Sequence, residues 1–189
     1  MEICAKKDPM DQLEFYINQL DGRQTVSHIC NRLQNLGYMD APASSSHHGA
    51  FSGGLLKHSL KVTKVLIDLT NKNNLRWCNE VSPIVIGLFH DLCKCDNYVS
   101  NGSYYNENGI CVEKFSYSKN KVLDGHGEKS VMVASTLMRL TEEEMFCIRY
   151  HMYMFEKGID PSIINRVVTK YPNVLFTHVA DMLAATQYV

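Results

Sequence analysis

Apolar residues return at helical intervals through most of this chain, and that periodicity predicts a mainly helical fold. Asp8-Pro9 supplies a cap and a first helical residue, after which Leu13, Tyr16, Ile17 and Leu20 fall on one stripe. Val26, Ile29, Leu33 and Leu36 make a second stripe, which Gly37 is suited to end. Residues 38–54, YMDAPASSSHHGAFSGG, form a loop of small and polar residues. A third helix carries Leu55, His58, Val62, Val65 and Leu69 in line. Ser82-Pro83 reads as the cap and start of a fourth, whose residues 84–89 are apolar nearly all round, the signature of a helix at the centre of a domain.

The helical pattern fails over residues 96–124, which are rich in Asn, Gly and Tyr and alternate over 112–117. A β-hairpin insertion around residues 98–120 is expected there. Helices resume after His126-Gly127. Thr141 with Glu144 forms a capping box for the segment that holds Ile148 and His151. Asp160-Pro161 starts a further helix, and Val174, His178, Asp181 and Ala185 share a face of the last one.

The polar residues that interrupt these apolar stripes carry the chemistry. His58, the doublet His90-Asp91, His126, His151 and Asp181 sit mostly on apolar helical stretches. Burying imidazoles and carboxylates without partners costs several kcal/mol, so such groups are usually paired or coordinate a metal. Taken singly, a histidine on an apolar face is more often a satisfied core residue than a ligand. Taken together, the six favour a metal site. Mixed imidazole and carboxylate donors suit Mn, Fe, Ni, Co or Zn, with Mg possible. His58, His90, Asp91 and Asp181 would hold one metal, and His126 and His151 could hold a second, with Asp91 bridging. Two metals about 3.5–4 Å apart suit in-line attack on phosphorus, with no serine or cysteine nucleophile.

Composition changes this picture little. The 189 residues are 45% hydrophobic and 21% charged, enough for one domain with a real core. The formal net charge of −1 gives no sign of a strongly basic nucleic-acid surface. Seven cysteines with no C-x-x-C pair indicate neither a disulfide framework nor a zinc ribbon. Cys93 and Cys95, close behind the doublet, are read as free thiols rather than as metal ligands. The start MEICAKKDPM has no apolar signal core, and the longest apolar run is far short of the roughly 20 residues that span a bilayer. A cytoplasmic protein without membrane contact is expected.

The order H…HD…H…H…D resembles the HD-domain superfamily of metal-dependent phosphohydrolases. Residues 53–60, GGLLKHSL, look like the family's first-histidine helix, and residues 88–94, LFHDLCK, like its "LxHDxxK" segment. Residues 126–130, 148–152 and 179–182 are similar to the later histidine motifs and the closing aspartate. The resemblance covers about residues 38–185. It implies an all-α helical bundle and a single domain over 1–189, with N-terminal helices over 1–37 and an HD core over 38–185. Residues 43–60 look closest to the HD domain of bacterial 3′-to-5′ exoribonucleases, without the OB-fold that precedes it there. That missing single-strand platform argues against processive RNA degradation. The G-Y-P signature of cyclic-dinucleotide phosphodiesterases is also absent.

The resemblance implies roles residue by residue. Asp91 and Lys94 take the catalytic positions, and Lys94 matches the lysine placed near the substrate phosphate; its other reading is a solvated residue at a helix end. Lys129 is a further phosphate candidate. His47 and His48 either line the cleft or sit in a flexible loop. Tyr117, in a Tyr-rich insert with Tyr98, Tyr104 and Tyr105, either stacks on a base or belongs to a hairpin that covers the cleft. His178 is expected to support the site or the core rather than to ligate, and His28 to have no role. The expected activity is hydrolysis of a phosphoester of a nucleotide or nucleic-acid end by metal-activated water, as a phosphomonoesterase, nucleotidohydrolase or phosphodiesterase. The alternative is a non-catalytic nucleotide-binding or regulatory module of the same fold. The oligomeric state is left open.

Overall fold

The computed structural model describes residues 1–20 and 22–186. It is mostly helical, with one small two-stranded antiparallel sheet. The helices are α1 (Pro9–Asn18), α2 (Val26–Asn35), α3 (Gly54–Asn73), α4 (Ser82–Phe89), α5 (Gly127–Leu137), α6 (Glu142–Tyr150), α7 (Pro161–Lys170) and α8 (Asn173–Thr186). A 3₁₀ turn, Leu92–Asp96, follows α4 directly and leads into β1 (Tyr98–Tyr105) and β2 (Cys111–Tyr117). Among the described residues no helix is long and apolar enough to cross a membrane.

The caps read from the sequence do their work. The Asp8 carboxylate accepts from the N–H groups of Met10 and Asp11; Thr25, a cap not anticipated from the sequence, accepts from the N–H of His28 at the start of α2. Thr141 and Glu144 form both halves of the capping box on α6. Ser82 departs from its expected role. It lies inside the first turn of α4, with Val81 as the cap, and its hydroxyl donates to Glu144 at 2.8 Å. A buried serine bonded across to a charged carboxylate is not free to cap its own helix. Glu144 also binds Arg23 at 2.7 Å, so one buried acid ties the start of α4, the start of α6 and the segment after α1 together.

α3 is the hub, packing on α4, α8 and α1. All eight residues of α4 are buried, as its all-round apolar sequence requires. α5 packs on α6 and on the 3₁₀ turn, while α6 reaches α4 and α8. Two glycines set the closest approaches. A Cβ at Gly87 would lie 2.5 Å from the Thr63 Cα, so α4 can meet α3 backbone to backbone only with glycine there. A Cβ at Gly127 would lie 2.0 Å from the Arg149 carbonyl oxygen, which seats the start of α5 on the end of α6. Each glycine lies within three residues of a histidine of the candidate set.

The hairpin pairs Tyr98 with Tyr117 at its base and Tyr105 with Cys111 near its tip, with an irregularity between Ser100 and Ser103. Most of β1 is exposed, so the hairpin adds little to the core. Its base is anchored, because the Ser118 N–H donates to the Asn97 carbonyl and the Asn97 N–H to that of Lys94.

Candidate metal centre

Six side chains from five stretches of sequence converge because five helices and the turn after α4 end or pass at one point. His58 lies in the second turn of α3, His90 caps the end of α4, and Asp91 begins the turn that follows. His126 stands at the N-cap of α5, His151 at the C-cap of α6, and Asp181 in α8. The side chain of His126 is 34% exposed, whereas the other five are 9% or less. The cluster therefore opens to solvent on the His126 side.

Asp91 divides the cluster in two. Its Oδ2 lies 3.6 Å from His58 Nε2 and 3.4 Å from His90 Nε2, and Asp181 Oδ1 closes that half at 3.0 Å from His58 Nε2. Its Oδ1 faces the other pair, 3.1 Å from His126 Nε2 and 3.5 Å from His151 Nε2. Within each pair the imidazoles meet Nε2 to Nε2, at 3.3 Å for His58 and His90 and 3.0 Å for His126 and His151.

Hydrogen bonding on the far side of the rings explains which nitrogens face inward. His90 Nδ1 lies 3.0 Å from the Gly87 carbonyl, and His151 Nδ1 lies 2.7 Å from that of Ile148. A carbonyl only accepts, so both Nδ1 atoms carry the hydrogen and both Nε2 atoms turn a lone pair inward. This is the tautomer that ligates metal, held by the partners such ligands usually have. The His90 lone pair then faces His58 Nε2 and the His151 lone pair faces His126 Nε2, so each pair needs one proton or a cation between its nitrogens.

Electrostatics favour positive charge among these carboxylates: against burial, Asp91 and Asp181 raise the His90 imidazole above its ordinary value. Burial would raise the Asp91 carboxyl, but the charges of Lys94 and His90 and the His126 and His151 imidazoles beside it hold it well below the usual carboxylate range. Asp181 is likewise held low, against burial, by His58 and His90. Lys94, 2.6 Å from Asp91 Oδ2, is kept protonated by that carboxylate despite burial. Burial keeps His58 and His151 below their ordinary values. Burial also opposes charge on His126, yet the bonds to Asp91 and Cys93 push its imidazole up to about 10. A proton on His126 thus stands where a cation could stand. Among the described residues His58 Nδ1 is a buried polar atom of this cluster with no hydrogen-bond partner, and Asp91 Oδ1 has only the His126 and His151 nitrogens beside it.

These residues fit a divalent cation. His58, His90 and Asp181 form one buried donor group, and His90, Asp91 and His151 another. A third group, Asp91, Cys93 and His126, includes a residue that sequence reasoning set aside. Cys93 Sγ lies 3.3 Å from His126 Nδ1. Its position two residues after Asp91 was the signal available, but the 33-residue separation from His126 hid the contact.

The remaining candidates separate. His48 is half-buried with its ring 5.2 Å from that of His58, and burial together with the His58 charge lowers its pKa. His47 is exposed and its ring faces Ser46. The loop that carries both is folded back on itself, with Ser44 Oγ donating to the His48 carbonyl. Lys129 is buried and held by the Asp96 carboxylate. Tyr117 is 63% exposed and its ring lies 5.3 Å from that of Tyr98. His178 Nδ1 lies 2.6 Å from the His151 carbonyl, a supporting position. A cavity of about 1050 Å³ beside Arg23, Arg139 and Met145 includes none of the six. No protein-family model, no curated protein and no solved structure matches this chain.

Proposed function

We propose that the chain is a metal-dependent phosphohydrolase of the HD-domain superfamily, cleaving a phosphoester of a nucleotide or nucleic-acid end with water. The observation that carries this reading is Asp91, whose two oxygens face two separate pairs of imidazole nitrogens. Such a carboxylate is a bridge in waiting, and a bridged pair of divalent ions is the usual arrangement for attack on phosphorus. When bound, the metals supply an activated water and stabilise charge on the phosphoryl oxygens.

The chain's own residues supply the rest. His58, His90, Asp91 and Asp181 would hold one ion, and Asp91, His126 and His151 the other. Lys94 places a permanent positive charge beside Asp91, offsetting one of the two carboxylates and favouring an anionic substrate. His48, uncharged near neutrality, is placed at the edge of the cluster where it can exchange a proton with a leaving group. Tyr98 and Tyr117 pair at the hairpin base, which is bonded back to Lys94, and would suit stacking on a base. The net charge of −1 favours a nucleotide or a short strand over a long polymer.

The test is a screen of purified, Mn-loaded protein against nucleotides, cyclic nucleotides and short single strands, with Asp91→Ala alongside. The wild type should release phosphate or nucleotide, and the variant should lose both metal and hydrolysis while its far-UV spectrum stays helical. Metal binding with no release across the panel would establish the non-catalytic module instead. Retained hydrolysis in Asp91→Ala would sink the mechanism.

A further inference from the structure

The imidazoles of this cluster are not all oriented in the same way. His90 and His151 end their helices, so each finds the carbonyl three residues back, on Gly87 and on Ile148, and gives it the Nδ1 hydrogen. His178 uses the His151 carbonyl similarly. His126 stands at the other end of a helix. It is the N-cap of α5, with φ −109° and ψ −70°, and the non-helical stretch that precedes it offers no carbonyl in that position. What faces His126 Nδ1 is the Cys93 sulfur, at 3.3 Å.

That sulfur is held from several directions. Cys93 is fully buried, and its N–H donates to Ser130 Oγ at 3.1 Å. The Ser130 N–H in turn donates to the His126 carbonyl, and Lys129 ties α5 to Asp96 at the end of the 3₁₀ turn. The turn that starts at Asp91 and the helix that starts at His126 are therefore clamped together, with Cys93 between the two ligand positions.

We infer that Cys93 is the positioning residue of the second metal position, taking the place that a backbone carbonyl takes for the other histidines. This deepens the proposed function and rests on its two-metal reading. The His126 Nδ1–H donates to the sulfur, which turns Nε2 toward Asp91 Oδ1 and His151 Nε2. Of the six ligand side chains His126 is the most exposed, so its ring loses most orientation when that partner goes. Groups that orient a ligating histidine from behind are worth about 10–100-fold in metal affinity.

The experiment is calorimetric titration of chelator-treated, full-length protein with Mn²⁺ and, separately, Zn²⁺, on wild type, Cys93→Ala, Cys93→Ser and Ser130→Ala, with far-UV spectra as the fold control. Wild type should take up two ions. Cys93→Ala should bind the first with unchanged affinity and the second about 10–100-fold more weakly. Cys93→Ser, which keeps an acceptor, should recover most of that loss, a rescue that a purely space-filling role does not predict. If Cys93→Ala does not fold, Ser130→Ala, which frees the Cys93 N–H, is read in its place and should weaken only the second ion. Two wild-type affinities in Cys93→Ala, or in Ser130→Ala where that is the variant read, overturn the inference and leave the phosphohydrolase reading intact. Equal losses at both ions, or Cys93→Ser no better than Cys93→Ala, also overturn it. Wild-type protein that never binds a second ion sinks the two-metal reading, and this inference with it.

Discussion

Asp91 is a buried carboxylate asked to serve two sets of nitrogens, and its surroundings suit that task. Lys94 neutralises part of its charge through Oδ2 and leaves Oδ1 to face His126 and His151. Lys94→Met should keep both ions but lower kcat by about 10²–10³, the cost of losing one preorganised group at developing charge; steady-state kinetics beside metal analysis checks this. The His126 imidazole gives a prediction with a definite sign. Its folded-state value of about 10 lies above the ordinary value of about 6.5, so metal-free protein holds this proton at neutral pH. A ligating imidazole must be neutral, so metal uptake at pH 7 should release a proton, and the release should fade as pH rises through 10. In the metal-free protein the same proton contributes stability that is complete below about 6.5 and lost as pH rises through 10. Titration calorimetry in two buffers of different ionisation heat measures the release; no buffer dependence would contradict it.

At the scale of elements, two close approaches put the histidines in pairs. Gly87 lets α4 lie against α3 and sets His90 beside His58; Gly127 lets α5 start against the end of α6 and sets His126 beside His151. Gly87→Ala and Gly127→Ala should each cost about 1–3 kcal/mol, because the added carbon meets backbone and the neighbouring element must shift. Their metal phenotypes should differ. Gly87→Ala should weaken the ion between His58 and His90, and Gly127→Ala the ion between His126 and His151. Denaturant melts and metal titrations on both variants check this, and identical metal phenotypes would count against two separable positions. The helices that carry these residues were legible in the sequence because period and caps agreed, as at Asp8-Pro9 and at Thr141 with Glu144. Ser82 reads as a cap in the sequence because its partner, Glu144, lies 62 residues away. The hairpin was legible from its alternation and polar turn, but sequence alternation does not tell that its base is bonded back to Lys94.

Over the whole molecule, the site was legible to the extent that chemistry expensive to bury stood on apolar stripes. His58, His90, Asp91, His126, His151 and Asp181 do converge, since each lies where its element meets the α3–α4–α8 or α5–α6 contact. What lay outside reach were pairings made only by the fold. In the sequence Cys93 reads as a free thiol, Lys129 as a phosphate candidate although Asp96 holds it, and nothing separates His47 from His48, whose ring lies beside that of His58.

In the proposed function Asp91 would serve two metal positions. Anomalous scattering from a crystal of Mn-loaded protein tests it most directly. Two peaks about 3.5–4 Å apart are predicted, one among His58, His90 and Asp181 and the other between His126 and His151, with Asp91 between them. Saturating metal with no peak within bonding distance of either Asp91 oxygen would contradict it.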